Sequence, residues 1–216
     1  MQMTDVKNEI VASLGEILGK LGFKSKKEFD GVSFTRKFKG GANKIGVAIV
    51  NRKPNYEIGA YFSIRFDSAA NVSNEITNRR PEYHADTVSL IKRFNYFTGK
   101  PNKFQVSSEQ ELRQVLNEMA AVIEGQVIPL MDKCTDLVYF DRLLNTEPSN
   151  EVDASAAREA LIIARLVGNP RFEELVTYYK QQMAHLHLEI QADFAHAIDG
   201  LRKLDVAALT ASGADQ

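Results

Sequence analysis

Apolar residues near the amino terminus recur every third or fourth position: Val6, Ile10, Leu14, Ile17 and Leu21. That spacing predicts an amphipathic helix, with Gly22 following as a left-handed cap. The period then drops to two. Val32, Phe34 and Phe38 alternate with Ser33, Thr35, Lys37 and Lys39, and Ile45, Val47 and Ile49 resume the alternation after the turn chemistry of Gly40-Gly41-Ala42-Asn43. A second turn at Pro54-Asn55 leads into the cleanest run, Ile58, Ala60, Phe62, Ile64 and Phe66, opposite Gly59, Tyr61, Ser63, Arg65 and Asp67. Three strands joined by short turns predict an antiparallel meander with one buried face. A fourth strand is expected within 88–97 and a short fifth near 104–106.

Helical spacing takes over from there. Ser108-Glu109-Gln110-Glu111 has the spacing of a capping box, and its helix is expected to run to about Glu124. A shorter piece begins near Pro129, and another follows Thr135-Asp136 to about Leu144. Asn145 to Asp153, with Pro148, Ser149 and Asn150, reads as a linker. A helix over about 154–167 follows, then a Gly168-Asn169-Pro170 break. Phe172, Val176, Tyr179, Met183, Leu186, Ile190, Phe194, Ala197 and Leu201 then predict one long helix from Arg171 to about Leu204. Its stripe can pack on the first domain, on the preceding helix or on a second copy of itself. The fold class is therefore α+β: a meander of four to five strands covered by helices on one face, followed by an α-helical segment. The domains expected are 1–147 (α+β), 151–206 (helical) and 207–216 (a flexible tail).

Charge adds an asymmetry. From Lys20 to Lys53 ten Lys and Arg residues stand against Glu28 and Asp30, a net of +8. From Asp136 onward seven stand against thirteen acids, a net of −6. Apolar residues make up 44% and charged residues 25%, which supports a real core and argues against wholesale disorder. Cys134 is the lone cysteine, so an internal disulfide is excluded and a reducing compartment fits. The start of the chain has no secretory pattern and no apolar run is long enough to span a bilayer, so a cytoplasmic location is expected.

Few constellations point to chemistry. His185, Glu189, His196 and Asp199 share one helical sector, but the two histidines stand about 16 Å apart along the axis, too far for one ion. A solvated polar face is the better reading, and no metal or cofactor is expected. Cys134 precedes a helix start, which can lower a thiol pKa, yet no histidine lies near it in sequence; a buried small residue is favoured. Gly40 to Gly46 lacks the Gly-Lys-Ser/Thr ending and a following helix, so a hairpin turn outranks a phosphate loop. No Gly-x-Ser-x-Gly elbow occurs, and no catalytic residue is assigned.

The basic segment is the main signal. Lys24, Lys26, Lys27, Arg36, Lys37, Lys39, Lys44, Arg52 and Lys53 surround Phe23, Phe29, Phe34 and Phe38. Lysines attract phosphate and rings stack on bases. Alternation, however, turns Phe34 and Phe38 to the core side, opposite Lys37 and Lys39, so the rings are read as packed. Arg36 falls in phase with the apolar face, at a sheet rim, at a bulge or paired with a carboxylate. On the other face Tyr61 and Arg65 lie beside Gly46, Ala48, Gly59 and Ser63, where an ordinary solvent-facing sheet is favoured over a shallow dock.

Leu21-Gly22-Phe23-Lys24, Lys26-Lys27 and Phe34-x-Arg36, with Ile128-Pro129-Leu130 and Asp136-Leu137 later on, resemble the family called domain of unknown function 4304. The resemblance covers roughly 6–144. It implies a bacterial α+β protein, with some relatives resembling immunity proteins that bind and neutralise toxins, and it carries no catalytic residues. The function expected is a non-catalytic module that binds a protein partner through the exposed sheet face and the basic segment, with Lys24, Lys26, Lys27, Arg36, Lys37, Lys39, Tyr61 and Arg65 as the binding residues. The alternatives are nucleic-acid binding through 20–53 and an enzyme with a dispersed site. The long helix also predicts a homodimer.

Overall fold

Steps of four keep residues 6, 10, 14 and 18 on one line, and the computed structural model shows them buried along α1 (Met3–Lys20). It describes residues 1–99, 102–146 and 153–205. Most of the linker expected at 145–153 and the whole tail expected at 207–216 lie outside the described residues. Leu18, rather than Ile17 or Leu21, completes the buried stripe. Gly22 adopts φ +82°, the left-handed conformation expected of a cap, and Phe23 is buried behind it.

The sheet is an antiparallel meander of six strands, one more than the upper expectation: β1 (Lys24–Glu28), β2 (Gly31–Phe38), β3 (Gly41–Arg52), β4 (Asn55–Phe66), β5 (Leu90–Arg93) and β6 (Lys103–Val106). Strands β1 to β4 follow in chain order, and both β5 and β6 pair with β4. The strand missed by periodicity is β1. Its five residues, Lys-Ser-Lys-Lys-Glu, carry no apolar alternation, and only pairing with β2 makes them a strand. Asn43, read as part of a turn, lies instead within β3 opposite Arg36.

The chain divides into two compact units. The first comprises 1–64 and 91–132. In it α1 packs on β1, β2 and α4 (Glu109–Val122), while a short α3 (Asn95–Thr98) follows β5. Ser108 caps α4 by accepting from the Glu111 N–H at 3.2 Å, but Glu111 reaches back to the N–H of Ser107 at 2.7 Å, one residue beyond the N-cap that the expected box would engage. A π-helical turn over Ile123–Val127 joins α4 to α5 (Ile128–Lys133). Pro129 lacks an N–H and crowds the carbonyl of residue 125, and widening the helix just before it accommodates the ring.

The second unit comprises 65–90 and the chain from Lys133 on. It contains α2 (Asp67–Ile76), a 3-10 turn over Pro81–Asp86, α6 (Leu137–Asn145), α7 (Ala154–Leu166), α8 (Phe172–Met183) and α9 (Leu188–Lys203). Helix α7 has contacts with α2, α6, α8 and α9. The single long helix expected over 171–204 is therefore two. Residues 184–187 break it, His187 is extended (ψ 144°), and the Gln191 amide donates to the carbonyls of Ala184 (3.3 Å) and Leu186 (2.8 Å). The turn lets both halves of the stripe reach α7. Phe172, Val176, Tyr179, Met183, Phe194, Ala197 and Leu201 are buried within the second unit, while Leu186 is half-buried and Ile190 exposed, so the chain itself covers seven of the nine residues of the stripe.

Candidate functional site

Strand register settles which face each residue of the basic segment occupies. Lys24, Lys26 and Glu28 of β1 lie opposite Thr35, Ser33 and Gly31 of β2, which in turn lie opposite Lys44, Gly46 and Ala48 of β3. Lys37 pairs with Ala42 and points to the same side. The opposite face carries Val32 and Phe34, with Phe34 beside α1 near Gly15. Phe34 is buried and Phe38 half-buried on the side the alternation requires, and Phe23 is buried behind the Gly22 cap. Phe29 is not: it sits in the β1–β2 turn, 98% exposed, which corrects its reading as a packed ring.

The outer face is thus a strip of small residues bordered by lysines. Across it lies Tyr61. A methyl group built on Gly46 would stand 2.2 Å from Tyr61 Cζ, so the phenol occupies the space that a side chain there would take. Around the ring a polar cluster has formed. Ser33 Oγ donates to Glu28 Oε1 at 2.6 Å, and Lys44 Nζ donates to the same oxygen at 3.2 Å. The Ser33 hydroxyl holds the Glu28 carboxyl below its usual value; partial burial opposes this, and Lys44 and Lys26 reinforce it. Partial burial pulls the Lys44 ammonium down, but Tyr61 and Glu28 outweigh it and leave its pKa raised. Both partners therefore stay charged across the ordinary pH range.

Other residues of the expected site lie elsewhere. Lys27 points to the α1 side, where its ammonium donates to Asn8 Oδ1 at 2.5 Å. Lys39 is exposed in the β2–β3 turn. Arg36 sits at the rim of the core face: its guanidinium lies 4.7 Å from the centroid of the Phe23 ring and pairs with Asp132, so the rim and paired-carboxylate readings hold together. Arg65 belongs to the second unit and is committed there. It donates to the carbonyls of His84 and Thr87, both at 2.8 Å, and to Asp67 Oδ1 at 3.0 Å, bracing the segment around the 3-10 turn. Lys24, Lys26, Lys37, Lys44 and Tyr61 are the residues that share the outer face.

Two buried features escaped the sequence reading. The Asn43 amide is fully buried without a hydrogen-bond partner. In the second unit Glu159 is 6% exposed, its Oε1 accepting from Ser73 Oγ at 2.6 Å and its Oε2 unpartnered. Neither has a sequence signal, because each sits where the helical or strand period alone specifies only "inside".

Elsewhere the chemistry is quiet. Burial pushes the Cys134 thiol up to about 12, which makes it a packed, inert residue. His185, Glu189, Asp193, His196 and Asp199 are exposed, and no cluster of metal-ligating residues occurs among the described residues. In the first unit a cavity of about 10 Å³ lies among Ile45, Phe62, Phe94, Phe97, Ile123 and Val127, close to the volume of a single water and walled mainly by apolar side chains. No helix among the described residues is long and apolar enough to cross a membrane. Comparisons of the chain with protein-family models, with curated proteins and with solved structures find no match.

Proposed function

We propose that the chain is a non-catalytic binding module whose partner is another protein, engaged across the outer sheet face and the β1–β2 hairpin tip. The observation that carries this reading is Phe29. Its ring stands 98% exposed, and the turn that presents it is anchored by Lys7, whose ammonium donates to the carbonyls of Glu28 (2.7 Å) and Phe29 (2.8 Å). A ring this exposed buries almost no surface against the rest of the chain, whereas an aromatic anchor edged by charge suits the centre of a protein interface. The flanking Glu28 and Asp30 would repel a phosphate backbone.

Nucleic-acid binding is the second reading, favoured by Lys24, Lys26 and Lys37 on one face beside Tyr61. It is weaker because single-strand readers use successive stacking rings, and Tyr61 is the lone aromatic on the outer face at that place. Affinity capture with the wild-type chain and a Phe29→Ala variant, scored by mass spectrometry, separates the two. A protein captured by the wild type and lost with Phe29→Ala is the expected result. Salt-sensitive RNA binding that Phe29→Ala leaves intact, with no protein captured, would overturn the proposal.

A further inference from the structure

We propose that β1 is an open docking edge that accepts an extended acidic peptide segment as an additional strand of the sheet. The inference rests on the protein-binding reading above and names the partner's chemistry. Strand β1 ends the strand order, with no described strand on its far side. Its pairing with β2 is unbroken from Lys24↔Thr35 to Glu28↔Gly31. Alternate backbone N–H and C=O groups of an antiparallel strand point away from its partner, so those of β1 face outward without a ladder. Residues 24–27 are all exposed.

Edges are closed by proline, a bulge, a covering segment, short length or charged side chains, lysine above all, and the lysines of β1 therefore turn away neutral and cationic strands. Here β1 contains no proline, and its register has no bulge. Charge is the selective device. Lys24, Lys26 and Lys27 against Glu28 leave the strand a net +2. A second copy of β1 would bring this charge against itself, and a neutral strand would offer nothing to the ammonium groups it partly desolvates. An extended segment with Asp or Glu at alternating positions meets Lys24 and Lys26 on the outer face, and an acid of the opposite phase meets Lys27. Main-chain hydrogen bonds then supply affinity and the lysines supply choice. Phe29, the next residue after β1, offers an apolar contact where such a strand would end.

The probes are a synthetic peptide alternating glutamate with valine and its counterpart with lysine in place of glutamate. Each is titrated into the full chain while backbone amide exchange is followed by NMR. The acidic peptide is expected to bind and to slow exchange within 24–28, and the basic peptide to do neither. Reversing Lys24, Lys26 and Lys27 together to glutamate should weaken binding at least about tenfold, with the melting curve of the free protein confirming that the fold persists. Equal binding of both peptides, or protection that spares β1, overturns the docking edge. So does homopolymeric RNA protecting the same amides when the acidic peptide does not. Self-association abolished by the triple reversal overturns it too, because β1 would then be pairing with itself. Capture of a protein that depends on Phe29 is read independently, so loss of the edge proposal and loss of the wider reading are distinguishable.

Discussion

Glu159 carries the clearest pH dependence at the scale of single residues. Burial raises its carboxyl pKa to about 7; the Ser73 hydroxyl, Arg158 and Arg79 pull the other way and only partly offset the effect. The unfolded chain loses this proton near the ordinary value of 4.5, while the folded chain keeps it until about 7. Between those values the native state binds more protons, so stability falls as pH rises and levels off above the folded value. The span corresponds to roughly 3 kcal/mol. Glu159→Gln should flatten the slope and leave the variant more stable than wild type at pH 8, as read by urea unfolding at pH 5 and pH 8. Parallel pH profiles for the two proteins would contradict this. Gly46 supports a second prediction. A methyl group there collides with Tyr61, so Gly46→Ala should cost roughly 1–3 kcal/mol. In a Tyr61→Ala background the same change should cost close to nothing, and the double-mutant cycle measures the coupling. Such contacts were invisible to alternation, which put Tyr61 on the correct face but says nothing about where a ring lies upon it.

Individual elements were legible where burial imposes a period and illegible where something else makes the element. Helix α1 and strands β2 to β4 follow their apolar spacing, because each has one face in the core. Strand β1 has no buried face and exists through its ladder with β2. Helix α2, Asp-Ser-Ala-Ala-Asn-Val-Ser-Asn-Glu-Ile, was missed because its contacts are made by small and polar residues: Ala69, Ala70, Ser73 and Asn74 are buried beside Val72 and Ile76. Seven of the nine residues of the long stripe are buried, but the break at 184–187 was not legible, since a turn tied to Gln191 leaves the spacing of apolar residues on both sides intact. The packing of α6, α7 and α8 rests partly on a polar network. Asn145 donates to Asp141 (2.8 Å) and to the Ala160 carbonyl (3.1 Å), and accepts from the Tyr179 hydroxyl (2.9 Å). Asn145→Ala would leave buried partners unsatisfied and should cost roughly 2–3 kcal/mol. An urea midpoint unchanged from wild type would show that water replaces the amide there.

For the whole molecule, chain order is a poor guide to which parts support one another. A boundary near 147 groups α2 with the sheet, yet α2 shares its contacts with α7 and α9 in the second unit. Ile76 lies against Gly200 of α9, where an added methyl would come within 3.0 Å, and Ser73 binds Glu159 of α7. Phe66 packs on Phe140 with ring centroids 5.3 Å apart. A fragment ending at Thr146 would retain Ala69, Ala70, Val72 and Ile76 but lose the helices that bury them. Such a fragment should bind a hydrophobic dye, and its 65–90 segment should lose amide protection, whereas the strands β1 to β3 should keep theirs, being paired within the first unit. A fragment that melts in one sharp transition without binding dye would move the boundary back to 147. The distinction bears on function because β1, Phe29 and the outer face all belong to the first unit. The partner-binding surface should therefore survive the truncation, and the acidic peptide titrated into the fragment should still protect 24–28.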